Sequence, residues 1–113
     1  MIAEIVSLSG YESQVSALLN EEERMAMEFF IACAAGDHPV IPGSGGFRKA
    51  RWARRGKGKT GGLRVVYFFL PEPGRIYMAA VYAKSRKETL SATDQNVLAK
   101  LAAQIKKAAK EGR

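Results

Sequence analysis

The sequence predicts an α+β domain in which a short strand and two helices precede a three-stranded antiparallel meander and a closing helix. Three observations carry this expectation. The 113 residues are 47% apolar and 26% charged, which suits one hydrophobic core. Apolar residues recur at helical spacing in the first third and at a spacing of two from Phe47 onward. Between these parts, Asp37-His38-Pro39 and Pro42-Gly43-Ser44-Gly45-Gly46 form a loop whose prolines and glycines suit neither repeat. No repeat or linker divides the chain, so residues 1–113 are read as one domain.

Residues 2–8 suit a strand, broken by Ser9 and Gly10 ahead of a helical segment over 11–19. Asn20 followed by Glu21, Glu22 and Glu23 starts a second helix, because Asn caps free amides and the acids favour the positive end of the helix dipole. That helix runs to about Ala35, with Met25, Met27, Phe29, Phe30, Ile31, Ala32 and Cys33 as a broad core stripe and Gly36 as its stop. Over residues 47–53, Lys49 and Arg51 share one strand face while Ala50 and Trp52 share the other. Residues 54–62 (RRGKGKTGG) are too rich in Gly and Lys to pair and read as a basic loop. LRVVYFFL, residues 63–70, is β-branched and aromatic and fits a central strand. After the turn Pro71-Glu72-Pro73-Gly74, residues 75–83 return antiparallel to it. Of Trp52, Tyr67, Phe68, Phe69, Tyr77 and Tyr82, the small core claims most and leaves one or two at most for solvent. Ser91-Ala92-Thr93-Asp94 is an S-x-x-D cap that opens a last helix, with Val97, Leu98, Leu101 and Ile105 as its stripe.

Charge is divided along the chain. Residues 1–46 hold seven acids and one base, while the remainder holds 17 bases and four acids, for an overall +7. Eight of those bases fall between Phe47 and Arg64 with no acid among them. Such a patch binds polyanions by releasing counterions, which makes nucleic acid the first partner to consider and a solvated basic face the plain alternative. Anionic membrane is disfavoured because no amphipathic helix adjoins the patch. No apolar run is long enough for a membrane span and residues 1–14 lack signal-peptide features, so a cytoplasmic location is expected. Cys33 is the sole cysteine, and no His/Cys spacing suits zinc; no metal or other cofactor is expected.

The candidate motifs sort by chemistry. GKGKT at residues 56–60 has the look of a phosphate loop, but the glycine that such a loop needs five residues before Gly58 is Ala53 here. His38 beside Asp37 resembles a base couple, yet a lone loop histidine is expected to be solvated, and Cys33 on its helix stripe is expected to pack in the core. More informative are Lys49 and Arg51 on one strand face, Arg64 on the next strand and Lys84 at the end of the third. Antiparallel pairing can gather these onto one surface that suits a phosphate. Arg48, Arg54, Lys57, Lys59, Arg86 and Lys87 flank them as further RNA-binding candidates. RNA carries its own nucleophile, the 2′-OH, so cleavage needs an aligned backbone, stabilised phosphorane charge and two proton transfers. On the residues alone, nuclease and passive binder both remain open.

From Gly45 onward, GGFRKARWA, GKGKTGG-x-RVVYFF and YAKSRKE-x-L occur in an order and spacing that resembles the HigB branch of the RelE/ParE toxin superfamily. The resemblance covers about sixty residues of the basic half. It implies a RelE-like fold and a ribosome-dependent, metal-independent mRNA interferase, the toxin of a type II toxin–antitoxin module. It further implies a HigA-like helix-turn-helix antitoxin as partner, and operator DNA contacted through that antitoxin. An acidic antitoxin segment could neutralise the basic patch directly. Carried over, the paired strand cations are Lys49 and Arg51, the arginine opening the central strand is Arg64, and the first post-strand lysine is Lys84. One departure stands out: RelE uses a tyrosine soon after this segment, where the present chain has Leu90 and Ser91. The proton-transfer role is thereby unassigned, with Tyr82 and Tyr67 as candidates. ParE relatives share the fold but poison DNA gyrase, which supplies the alternative reading beside a non-catalytic nucleic-acid-binding module.

Overall fold

A computed structural model describes residues 3–53, 62–83 and 90–112. Its elements are β1 (Glu4–Ser7), α1 (Tyr11–Leu18), α2 (Glu21–Cys33), β2 (Arg48–Trp52), β3 (Leu63–Leu70), β4 (Arg75–Ala83) and α3 (Ala92–Glu111). The α+β order expected from the hydrophobic pattern is observed. β2, β3 and β4 form the antiparallel meander, and β1 joins the same sheet in parallel beside β4, giving the order β1-β4-β3-β2.

The sheet is covered on both faces, which is why β3 tolerates an almost unbroken apolar run. On one face Tyr11 and Val15 of α1 and Met27 and Ile31 of α2 pack against Ala50, Leu63, Val65, Tyr67, Met78 and Val81. On the other, Leu98, Ala102 and Ile105 of α3 pack against Phe47, Val66 and Phe68. Burying each large apolar side chain of this kind contributes about 1.5–3 kcal/mol. The alternation in β2 is as expected: Ala50 is buried on the α1/α2 face, whereas Arg51 points away and is exposed.

Both long helices begin as their sequences indicate. Asn20 Oδ1 accepts from the Glu23 amide at 2.7 Å while the Asn20 amide donates to Glu23 Oε1 at 3.0 Å. Ser91 and Asp94 repeat this reciprocal cap at α3. The broad stripe expected on α2 narrows, however, to Met27 and Ile31. Met25, Phe29, Phe30 and Cys33 are exposed, because a straight helix on a sheet touches it along a single i, i+4 line that continues from Ile31 to the buried Ala35. Cys33 is therefore a surface thiol and not a core residue. The aromatic expectation, of at most one or two strand rings toward solvent, is met. None of the six strand aromatics is fully exposed, and the solvent-facing rings are Phe29 and Phe30 of α2.

Two local devices position the upper sheet. Val66 pairs with Ala80 but Tyr67 with Met78, so β4 carries one extra residue there. This bulge lets Ala79 and Ala80 both face α3 and moves Tyr82 onto the face it shares with Val66. Gly45, at φ +78°, brings the loop before β2 against α3, since a Cβ there would lie 2.9 Å from the Ala102 Cβ. Lys106 Nζ donates to the Gly45 carbonyl at 3.0 Å and clamps the same approach.

Helices α1 and α2 are joined by a charged network. Arg24 donates to both Glu12 carboxylate oxygens at 2.7 Å and to Glu28 at 2.9 Å, and the Tyr11 hydroxyl donates to Glu28 at 2.7 Å. Arg24 and the Ser7 hydroxyl hold the Glu12 carboxyl down to about 2, from an ordinary 4.5. A carboxyl depressed on folding contributes stability that is present above its unfolded value and lost as pH falls through its folded one. Thermal stability should accordingly drop between about pH 4.5 and 2, and Glu12→Gln should flatten that part of the profile. Melting curves across this range read the effect, which is small because Glu12 is exposed.

Candidate functional site

β2 is an edge strand, and the chain itself covers part of its outer side. The Ile41 amide donates to the Phe47 carbonyl at 2.8 Å and the Lys49 amide to the Pro39 carbonyl at 3.0 Å. Among the described residues this pairing ends at Lys49, so Arg51 and Trp52 lie beyond it. Proline and glycines at 42–46 turn the chain sharply enough to allow it. His38, one residue before Pro39, and Phe30, near the end of α2, are thereby brought alongside Lys49 and Arg51 of β2.

The strand register assembles the cations. Arg51 stands opposite Arg64, and Arg64 stands opposite Tyr82, so one row across three strands reads Arg51, Arg64, Tyr82. Lys49 lies in the next row, opposite Val66. Side chains directly opposite in a sheet have their Cβ atoms about 4.5–5.5 Å apart, and like charges so placed repel. Arg64 is only 6% exposed, and among the described residues no carboxylate pairs with Lys49, Arg51 or Arg64. A buried guanidinium facing a second guanidinium is costly to a fold, by several kcal/mol when uncompensated. A bound phosphate would offset that cost through charge-assisted, bidentate hydrogen bonds.

Lys49, Arg51 and Arg64 line one side of a cleft of about 570 Å³ whose other lining residues are Phe30, His38 and Pro39. The sequence pointed to the cationic side but not to the aromatic one. His38 departs from the solvated loop residue expected. Its ring packs on Phe30 at 5.4 Å and edge-on to Tyr67 at 6.1 Å, and its Nε2 is buried with no hydrogen-bond partner among the described residues. The signal available in the sequence was the proline after His38, which fixes the backbone there, and an aromatic Phe30 on a helix whose line of contact runs through Met27 and Ile31.

Other candidates are placed differently. Arg48 alternates with Lys49, so it belongs to the α1/α2 face, where it donates to the His38 carbonyl at 2.7 Å; the structure gives it a bracing role and separates it from the cationic row. Of the two candidate tyrosines, Tyr67 is also on that face. Its hydroxyl donates to the Ala35 carbonyl at 2.7 Å, and burial pushes it up to about 12, with Arg48 opposing and Asp37 adding to the rise. Tyr82 is the tyrosine the register brings to Arg64. Lys84, Arg86 and Lys87, together with Arg54, Lys57, Lys59 and the GKGKT segment, lie outside the described residues. No helix among the described residues is long and apolar enough to cross a membrane.

No protein-family model matches the chain. Its fold is similar to that of a solved structure, an arginine-to-alanine double mutant of E. coli toxin RelE in the free state, with a TM-score of 0.55. That likeness covers 86% of this chain and 96% of the other at 13% sequence identity.

If Arg64 is a charge held for an anion, removing it should cost the fold nothing. Arg64→Met is expected to leave the melting midpoint unchanged or to raise it, by about 4–8 °C for each kcal/mol of relieved desolvation. Inorganic phosphate should raise the wild-type midpoint and have no such effect on the variant. A lower midpoint for the variant in phosphate-free buffer would mean that the guanidinium is satisfied by the fold itself.

Proposed function

We propose that the chain, as one domain, is the toxin of a type II toxin–antitoxin module and acts as a metal-independent RNA endonuclease. The observation that carries this reading is the buried Arg64, aligned with Arg51 and paired with no carboxylate among the described residues. The fold likeness to a RelE toxin supports it at the level of architecture, and the sequence resemblance to HigB-type toxins supports it at the level of motifs. The target is messenger RNA on the ribosome, in the cytoplasm. The inhibitor is a HigA-like helix-turn-helix antitoxin, through which operator DNA is reached.

In this reading Lys49 and Arg51 hold backbone phosphates so that a ribose 2′-oxygen lies in line with the phosphorus and the departing 5′-oxygen. The 2′-oxygen forms a bond to phosphorus, the bond to the 5′-oxygen breaks, and the products are a 2′,3′-cyclic phosphate and a 5′-hydroxyl. Arg64 faces the negative charge that develops on the equatorial oxygens. Being already desolvated, it reorganises little as that charge grows. Lys84 completes the cationic set. The two proton transfers are assigned to no side chain: Tyr82 follows Arg64 in the row, but its hydroxyl is buried and it lines a different pocket, with Val66, Asp94 and Leu98.

The test is to express the chain without its antitoxin and map new 5′ ends on translated and untranslated copies of one message. Cuts confined to translated copies are the expected result, and Arg64→Ala should reduce them by about 100-fold or more while the protein remains folded. Growth arrest with DNA damage and no cuts would replace this reading with a gyrase poison. No arrest and no cuts would leave a basic binding module.

A further inference from the structure

The cleft at the end of β2 has two unlike sides, and only the cationic one is explained by phosphate binding. The other presents Phe30, which remains 39% exposed although Trp52 and His38 both pack against it at 5.4 Å. Tilted contacts from two rings fix the orientation of the Phe30 ring while leaving part of it toward solvent. A partly exposed aromatic surface beside cations that no carboxylate pairs among the described residues matches the two halves of a nucleotide in a single strand, a flat base and a charged phosphate. The volume, about 570 Å³, is that of a small-ligand site and suits one nucleotide rather than a duplex groove.

We propose that this cleft takes one unpaired nucleotide of single-stranded RNA, with its base stacked on Phe30 and its phosphate held by Lys49, Arg51 and Arg64. The inference rests on the reading of the chain as an RNA-acting protein and assigns the base-holding part of that same site. His38 and Trp52 are positioning residues that hold the Phe30 ring. Because every base has a flat face, the subsite selects for an unstacked nucleotide more than for a particular base. It thereby favours single strands over paired ones.

The experiment measures binding of the full chain to a labelled single-stranded RNA of about ten nucleotides, a length within the usual range for single-strand sites. The RNA is 2′-O-methylated to block cleavage, and a second series carries one abasic nucleotide at each position in turn. The expected result is that one abasic position weakens wild-type binding by about tenfold. Phe30→Leu, which keeps the apolar contact but lacks a π face, should bind the intact RNA about tenfold more weakly and be indifferent to that abasic position. Its salt dependence should match the wild type, whereas Arg51→Ala should bind with a shallower salt slope. Wild-type binding that depends on salt but on no abasic position would overturn the base subsite and leave the RNA reading standing. So would wild-type affinity in Phe30→Leu. Absence of any salt-dependent binding by the wild type would overturn the subsite, while the RNA reading, whose target is on the ribosome, is decided by the map of new 5′ ends. Should Phe30→Leu fail to fold, judged by its melting curve, the abasic series on the wild type decides alone.

Discussion

Everything in this fold turns on β3 having to be apolar on two faces at once. It lies between β2 and β4, with α1 and α2 on one side and α3 on the other. A strand so enclosed has no place for a charge, yet it carries Arg64 near its start, where the covering contacts described for α3 give way to the cationic row. The guanidinium stands next to the best-packed part of the molecule, so its position is set by Leu63, Val65 and Val66, which cannot shift without disturbing both cores. Rigidity at that point is what electrostatic stabilisation of a transition state needs, because donors that are already aligned do not reorganise as charge develops.

Much of this was legible in the sequence, for identifiable reasons. The run LRVVYFFL can only be a strand covered on both sides, and Asn20 and Ser91 each bring their own partner three residues on. The Lys49/Arg51 face follows from simple alternation beside Ala50 and Trp52. Less legible was anything that depends on where one element lies against another. α2 has apolar residues all round, and nothing local distinguishes Met27 and Ile31, which meet the sheet, from Met25, Phe29 and Cys33, which do not. His38 looked like a loop residue because the pairing of Pro39 and Ile41 with β2 is a contact between segments of weak strand character. The place of Tyr82 was hidden for another reason. Strict alternation along RIYMAAVYA puts Tyr82 with Ile76 and Met78, and one extra residue beside Val66 reverses that assignment.

The division of charge along the chain becomes a division of space. The acids of the first third crowd onto the helical layer, where Arg24 gathers Glu12 and Glu28 into a closed network. Among the described residues the bases that follow lie on β2, β3, β4 and α3, and the three in the cleft have no acid paired with them. Charge separated in this way orients an approaching polyanion before contact.

The bulge in β4 has a consequence for how such a chain can vary. A strand with one extra residue is two phases joined end to end. The residues from Arg75 to Met78 are phased by β1 and the lower half of β3, and those from Ala80 to Ala83 by the upper half of β3 alone. Substitutions at Ala80 and Tyr82 in the second phase can change what faces α3 without re-phasing the part that anchors the N-terminal strand. The chain can therefore vary the upper half of its sheet while its foundation keeps the same grammar.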